Sequence, residues 1–237
     1  SEDFRADLYA SATLTGCGID GIGLYAGQPT VQGCTFHEQE AIHLGDPDAS
    51  LAGFSGNLFD GDGAYIAVEG QVDAAATLPV VDGVNLYRLY DNLVIADTGS
   101  LVIASGAVVA ADAGDGLEVL VFGSLSATSV TFDSVDLTVR DGGQANLSTG
   151  AFDTGDIDVY GTLTLEGAEF DHTNIRVRDG GVLNLVNCAF WSCAPVAENG
   201  GQMNLTGCTF CGQEVVYEEG SSGSAVACGG GDGDWDI

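Results

Sequence analysis

The sequence contains no lysine, and its basic residues are five arginines. Against them stand 35 aspartate and glutamate residues, which give the 237-residue chain a formal net charge of −30. Nucleic-acid backbones and anionic membrane surfaces are both bound through clustered Lys and Arg side chains. We therefore expect neither a nucleic-acid partner nor binding to an anionic membrane surface.

Long hydrophobic runs are also absent. A membrane-spanning helix needs about 20 consecutive apolar residues, whereas the longest run here, residues 101–111, is interrupted by Ser105 and Gly106. We expect no membrane insertion. Hydrophobic residues nonetheless make up 45% of the chain, which is enough apolar material to build a folded core despite the charge.

A six-residue motif that ends in an apolar residue recurs along the chain. Its most regular copies, residues 185–190 and 205–210, read Leu-x-x-Cys-x-Phe. The motif ends at Ile19, Phe36, Phe59, Leu86, Val109, Phe132, Phe152, Phe170, Phe190 and Phe210. These ends are 17 to 27 residues apart, and a period near 20 indicates a solenoid with short turns.

The residues within each repeat predict short strands. In residues 161–165 and 181–185, leucines alternate with Thr, Val or Asn, so that the leucines share one face of a strand. The 36 glycines suit the tight corners between such strands, and the fixed Asn or Cys of leucine-rich repeats is missing. We predict an all-β fold: a single right-handed parallel β-helix of about ten turns, with the phenylalanines in one continuous column.

Both ends of the chain differ from the repeat. Residues 1–9 are predicted to form an N-terminal cap or arm, residues 10–218 the parallel β-helix, and residues 219–237 a Gly- and Asp-rich C-terminal extension. The end strands of an open solenoid carry unpaired edges, which must be capped or will pair with another molecule.

The repeat over about residues 10 to 220 resembles the right-handed parallel β-helix proteins of the pectin-lyase-like superfamily. This superfamily includes polysaccharide lyases, glycoside hydrolases and surface adhesins. The resemblance implies the fold and an extracellular or cell-surface location, and it leaves the activity open because members share a core and differ in chemistry.

One outward face carries most of the arginines. Aligned repeats place Arg140, Asp158, Tyr160, Arg176 and Arg178 in two adjacent outward columns, which makes this face a candidate for glycan binding. The resemblance implies that a lyase would use an arginine as base, but Asp158 between Arg140 and Arg176 would stay ionised and could not act as a general acid. The alternative is a surface ladder of Arg and Asp pairs.

Aspartates on glycine-rich corners are candidate ligands for Ca²⁺. Asp60 and Asp62 have the first spacing of an EF-hand loop but lack its closing Glu, and Asp112 and Asp115 form a similar corner. The alternative is that these aspartates are solvated turn residues. Ca²⁺ is the one cofactor that the sequence suggests.

Cysteines occupy equivalent positions in consecutive repeats. Stacking would bring together Cys17 with Cys34, Cys188 with Cys208, and Cys193 with Cys211, which makes each pair a candidate disulfide and leaves Cys228 unpaired. A ladder of buried free thiols is the alternative.

These patterns favour a non-enzymatic extracellular structural or adhesive module that assembles end to end into a fibre. Its expected partners are further copies of itself or other cell-surface proteins and glycans. The alternative is a carbohydrate-active β-helix, either a polysaccharide lyase or a glycan-binding protein, that acts through the arginine-bearing face.

Overall fold

The computed structural model describes residues 5–211, 215–217 and 222–225, and in these ranges it contains 29 strands and no helix. The strands are β1 (Arg5–Leu8), β2 (Thr13–Thr15), β3 (Gly18–Ile19), β4 (Gly21–Leu24), β5 (Thr30–Gln32), β6 (Thr35–Phe36), β7 (Glu40–Leu44), β8 (Phe54–Ser55), β9 (Leu58–Phe59), β10 (Tyr65–Val72), β11 (Ala75–Leu78), β12 (Leu86–Ile95), β13 (Ser100–Ile103), β14 (Val108–Ala110), β15 (Glu118–Val121), β16 (Ser124–Thr128), β17 (Thr131–Asp133), β18 (Asp136–Val139), β19 (Gln144–Ser148), β20 (Ala151–Val159), β21 (Thr162–Glu166), β22 (Glu169–Val177), β23 (Val182–Val186), β24 (Ala189–Trp191), β25 (Pro195–Ala197), β26 (Gln202–Thr206), β27 (Thr209–Cys211), β28 (Val216–Tyr217) and β29 (Ser222–Ala225).

The strands form four parallel sheets. The large sheet has 15 strands and runs from β1 to β27 and β28, and the eight-stranded sheet has the order β11-β13-β16-β19-β21-β23-β26-β29. Two three-stranded sheets, β2-β5-β8 and β3-β6-β9, complete the N-terminal turns. Each strand pairs with the equivalent strand one turn away, so that Leu165 lies beside Leu185. The expected all-β parallel β-helix of about ten turns is confirmed.

Alternation of side chains builds the core, as β21 and β23 show. Leu163, Leu165, Leu183 and Leu185 are all buried and form two columns of leucines. The residues between them, such as Thr164, point outward because successive side chains of a strand lie on opposite faces. Burying each leucine stabilises the fold by about 1.5–3 kcal/mol.

The phenylalanines form two stacks, and the single column expected from the sequence is wrong. Phe132, Phe152, Phe170, Phe190 and Phe210 stack with ring centroids 4.6 to 5.1 Å apart. Phe36 and Phe59 stack separately, with centroids 4.7 Å apart, between β6 and β9 of a small sheet.

The C-terminal stack continues toward the N-terminus through residues that are not phenylalanine. Phe132 pairs with Val109, Val109 with Tyr87, and Tyr87 with Ile66. Tyr87 thus holds the position that the repeat assigned to Leu86, one residue earlier. β12 pairs with β14 through residues 86–88 and with β15 through residues 93–95, and its register with β10 shifts farther along, between Val68 and Gly70.

Glycines recur at the corner that precedes the eight-stranded sheet because the turns approach closely there. A Cβ atom added to Gly161 would lie 2.3 Å from the carbonyl oxygen of Arg140, and one added to Gly181 would lie 2.0 Å from that of Val159. Both distances are shorter than any real contact of a Cβ atom. These corners therefore admit only glycine.

The predicted terminal segments are described in part. Residues 5–8 of the predicted cap form β1, which pairs with β4 in the large sheet. Residues 222–225 of the predicted extension form β29, which pairs with β26. Residues 1–4, 212–214, 218–221 and 226–237 lie outside the described residues. In the described ranges there is no helix that could cross a membrane.

Replacing Phe170 should destabilise the solenoid far more than replacing an exposed ring. Phe170 is fully buried between Phe152 and Phe190, so Phe170→Ala should lower the free energy of unfolding by about 3–5 kcal/mol. Phe122→Ala is the matched control because Phe122 is 37% exposed. Urea unfolding measures both, and equal losses would contradict the stacked core.

Candidate functional site

The structure places the predicted arginine-bearing face on the outside of the large sheet. Asp158 pairs in register with Thr138 on one side and with Arg176 on the other. Tyr160 and Arg178 directly follow the ends of β20 and β22, two residues after Asp158 and Arg176, in the neighbouring outward column. The sheet therefore brings the predicted residues together on one surface.

Ion pairs between consecutive turns organise this surface. Nε of Arg178 donates to Oδ1 of Asp158 at 2.7 Å, and Arg178 also pairs with Glu198 on the next turn. The hydrogen bond to Asp158 is the largest influence on the pKa of Arg178, and with Glu198 it raises that pKa above its ordinary value despite burial. Arg176 pairs with Asp156 at 3.1 Å.

Asp158 therefore has a different partner from the one expected. The sequence placed it between Arg140 and Arg176, but the long side chain of Arg178 reaches diagonally to it across the turn. Oδ1 of Asp158 is thus occupied by an arginine donor. The geometry is that of the cross-strand ladder of Arg and Asp.

Arg140 contacts the ring of Tyr160 and has no carboxylate partner among the described residues. Its guanidinium carbon lies 5.7 Å from the centroid of the Tyr160 ring, in a cation–π contact. Its Nε atom is buried, and no hydrogen-bond partner for it exists in the described part of the chain. Arg140 thus differs from Arg176 and Arg178, whose donors are engaged by carboxylates.

The four aspartates predicted to bind Ca²⁺ do not converge. Asp60 lies 3.0 Å from Nδ1 of His37, and Asp112 pairs with Arg88 on another turn. Within the described residues, no group of three or more His, Cys, Asp and Glu side chains is arranged to hold a metal ion. Ca²⁺ binding by Asp60, Asp62, Asp112 and Asp115 stays a prediction.

Two of the three predicted cysteine pairs lie on neighbouring turns. The backbone N–H of Cys17 donates to Sγ of Cys34 at 3.4 Å. Cys188 and Cys208 are both buried and share a hydrogen bond, which lowers the pKa of Cys208 to about 6 and raises that of Cys188.

Cys193 and Cys211 are not brought together. Cys193 is buried and its thiol donates to the carbonyl oxygen of Phe170, whereas Cys211 is exposed and pairs in register with Trp191. All six of these cysteines are free thiols in the structure, and Cys228 lies outside the described residues. The disulfides stay predictions.

A second cluster, which the sequence analysis missed, lies on the large sheet at the N-terminal turns. Glu40 is its centre: it pairs with Arg5, accepts a hydrogen bond from the Tyr90 hydroxyl at 2.6 Å, and lies 3.3 Å from Nδ1 of His43. Nε2 of His43 lies 3.1 Å from Glu69. Both ring nitrogens of His43 therefore face carboxylate oxygens.

Aromatic rings extend this N-terminal cluster over several turns. Tyr9 stacks on Tyr25 at 4.9 Å, Tyr25 lies 6.0 Å from His43, and His43 lies 5.7 Å from Tyr90. Gly45 makes room for these rings, because a Cβ atom there would lie 2.6 Å from the Tyr25 ring. The recurrent dipeptide Leu-Tyr, at residues 8–9, 24–25 and 89–90, was the signal in the sequence.

The cluster keeps Glu40 ionised. Burial by itself would raise the pKa of Glu40, but the hydrogen bonds from Tyr90 and Arg5 outweigh it and leave the pKa below its ordinary value. Burial and the hydrogen bond to Glu40 raise the pKa of Tyr90, so that its hydroxyl stays a donor. The arrangement stabilises a carboxylate and ties β1 to β7 and β12.

Comparisons with known proteins give one structural likeness. No protein-family model and no curated protein matches this sequence. The crystal structure of a TibC-catalyzed hyper-glycosylated TibA fragment is similar over 93% of this chain and 98% of that chain, with 14% sequence identity and a TM-score of 0.28.

Removing the charge of Glu40 should weaken the N-terminal turns in a pH-dependent way. Because its folded pKa is lowered from 4.5, its contribution is present above pH 4.5 and is lost as the pH falls through the folded value. At neutral pH, Glu40→Gln should lower the free energy of unfolding by about 1–2 kcal/mol.

Urea unfolding at several pH values measures this effect. The difference between wild type and Glu40→Gln should shrink in acid, where both side chains are neutral. Asp62→Asn serves as the control because Asp62 is exposed and should change stability little at any pH. A loss for Glu40→Gln that is constant with pH would contradict a role for its charge.

Proposed function

We propose that this chain is a non-enzymatic structural or adhesive module of an extracellular or cell surface. The observation that carries the proposal is the use of charged side chains between turns: Arg178 joins Asp158 and Glu198, Arg176 joins Asp156, and Arg5 joins Glu40. Side chains engaged in this way hold the solenoid together. A catalytic site instead needs an acid or base with its proton free to move.

End-to-end assembly is part of this proposal. In the described chain β1 is the first strand of the large sheet and pairs on one side only, with β4. An exposed edge of this kind is a template for a strand from another molecule. Ten turns spaced about 4.8 Å apart make a subunit about 48 Å long.

Arg140 and Tyr160 support a second candidate, a carbohydrate-active solenoid. Arg140 carries the buried Nε atom without a partner and lies against Tyr160, beside the pair of Asp158 and Arg178. An arginine that lies against a ring and has no carboxylate partner among the described residues is suited to the acid group and the apolar face of a sugar. In this alternative the arginine-bearing face binds or cleaves an acidic polysaccharide.

Enzyme assays separate the two candidates. On incubation with acidic polysaccharides and Ca²⁺, we expect no rise in the ultraviolet absorbance of unsaturated sugar products, while a known lyase under the same conditions gives one. A rise that is lost in Arg140→Met would overturn the non-enzymatic proposal. Binding of the polysaccharide without cleavage, lost in the same variant, would favour the glycan-binding alternative.

Electron microscopy tests the assembly. Native material should contain filaments with an axial repeat of about 48 Å, the length of ten turns. Sedimentation velocity over a range of protein and salt concentrations measures the same assembly in solution. High salt should favour longer filaments because it screens the net charge of −30. A strictly monomeric protein under every condition would contradict end-to-end assembly.

A further inference from the structure

Charge is distributed unevenly over the surface of the solenoid. The seven strands of the eight-stranded sheet whose side chains are described, β11 to β26, contain one charged residue, Glu166. In the large sheet, by contrast, β20 alone contains three aspartates. One side of this strongly acidic molecule is therefore almost free of charge.

The uncharged side has a regular polar surface. We call it the neutral face: the outward side of the eight-stranded sheet, whose central column is Val102, Ser126, Asn146, Thr164, Asn184 and Asn204. Small hydroxyl and amide groups dominate this column. Such groups both donate and accept hydrogen bonds, and they lie about 4.8 Å apart along the axis.

The structure assigns the neutral face as a docking surface for a second copy of this chain. The inference rests on the proposed function, which it deepens by naming the surface through which copies associate side by side. With a charge of −30 on each copy, contact between two acidic faces brings carboxylates together. Contact through the neutral face keeps them on the far sides of the pair, where solvent screens them.

The chemistry of the neutral face suits a self-complementary contact. Nδ2 of Asn204 donates to Oδ1 of Asn184 at 2.9 Å, and Nδ2 of Asn184 lies 3.4 Å from the Thr164 hydroxyl, so the side chains form an ordered ladder. Ladders of this type pack against one another in dry sheet interfaces. Val102 is 45% exposed and adds apolar area, while the near absence of charge matches the cores of protein interfaces.

The dimensions of the face indicate the strength of the contact. Eight strands of up to five residues cover about 34 Å by 17 Å, so two copies would bury about 1,150 Å² of planar area in total. A specific interface needs about 1,000 Å². We therefore expect a weak, reversible dimer. A two-fold symmetric dimer uses the same patch on both copies and leaves no such patch for a third copy. End-to-end contacts, by contrast, allow a fibre to keep growing.

Two charge variants of the full chain test the assignment. Asn146→Asp with Asn184→Asp adds two charges to the neutral face with little change in side-chain shape. Gln28→Glu with Gln39→Glu adds the same two charges at exposed positions elsewhere and is the matched control. Sedimentation equilibrium at about 1 M salt, where the Debye length is about 3 Å, measures the dimer constant. Circular dichroism checks that all three proteins are folded.

The expected result is a dimer whose constant rises with salt in wild type and control. In the neutral-face variant we expect it to weaken at least about tenfold, which corresponds to 1.4 kcal/mol. Equal weakening in both variants would overturn the assignment, because general repulsion would then explain it. A wild type that forms filaments one solenoid wide, without pairing, would overturn it and leave the proposed function intact.

A neutral polysaccharide is the competing occupant of the neutral face. Co-sedimentation of the wild type with an insoluble neutral polysaccharide provides this test. Binding that is lost in the neutral-face variant and kept in the control, in a protein that stays monomeric, would assign the face to the polysaccharide and overturn the second-copy proposal. Dimerisation without such binding supports the proposal.

Discussion

The stacking of each turn on the previous one, about 4.8 Å away, is the constraint from which the other features of this molecule follow. It places every side chain beside the residue one turn earlier, so that inward positions become columns such as Leu163 with Leu183 and the phenylalanine stack. It also sets the composition of the corners. Where the chain of one turn passes over the carbonyl oxygen of the turn before, as at Gly181, a Cβ atom has no room.

The same spacing restricts the chemistry of the outer surface. Like charges stacked 4.8 Å apart repel each other, and in this chain arginines relieve that repulsion by reaching to carboxylates on neighbouring turns. Arg178 contacts Asp158 on the turn before it and Glu198 on the turn after it, and Glu40 accepts hydrogen bonds from residues 35 and 50 positions away in the sequence. Polar groups that bind the turns together in this way support the proposal that the chain is a scaffold.

The sequence was sufficient to predict the architecture, because a period near 20 and alternating leucines have few other physical explanations. It failed where the period changed. The column of Phe132 continues through Val109 and Tyr87 to Ile66, which lies inside the 27-residue interval between Phe59 and Leu86. Leu86 was therefore assigned the place of Tyr87, and the two phenylalanine stacks were merged into one. For the candidate site, the shared face of Arg140, Asp158 and Arg178 was predictable from register alone. The partner of Asp158 was not, since a long arginine side chain can reach a diagonal neighbour as easily as a direct one.

Separation of charge between the two principal sheets is the feature that stacking alone does not require. Any outward position of a solenoid tolerates a charged residue as far as folding is concerned, and an even coat of carboxylates would lower the repulsion between neighbouring columns. Among the strands of this chain, the large sheet carries the carboxylates, with three aspartates on β20 alone, while Glu166 is the one charge on the seven described strands of the eight-stranded sheet. Crowding like charges costs free energy, so it must be offset by arginine pairs such as Arg176 with Asp156. An arrangement that costs stability and serves no purpose in folding points to a use for the face left uncharged.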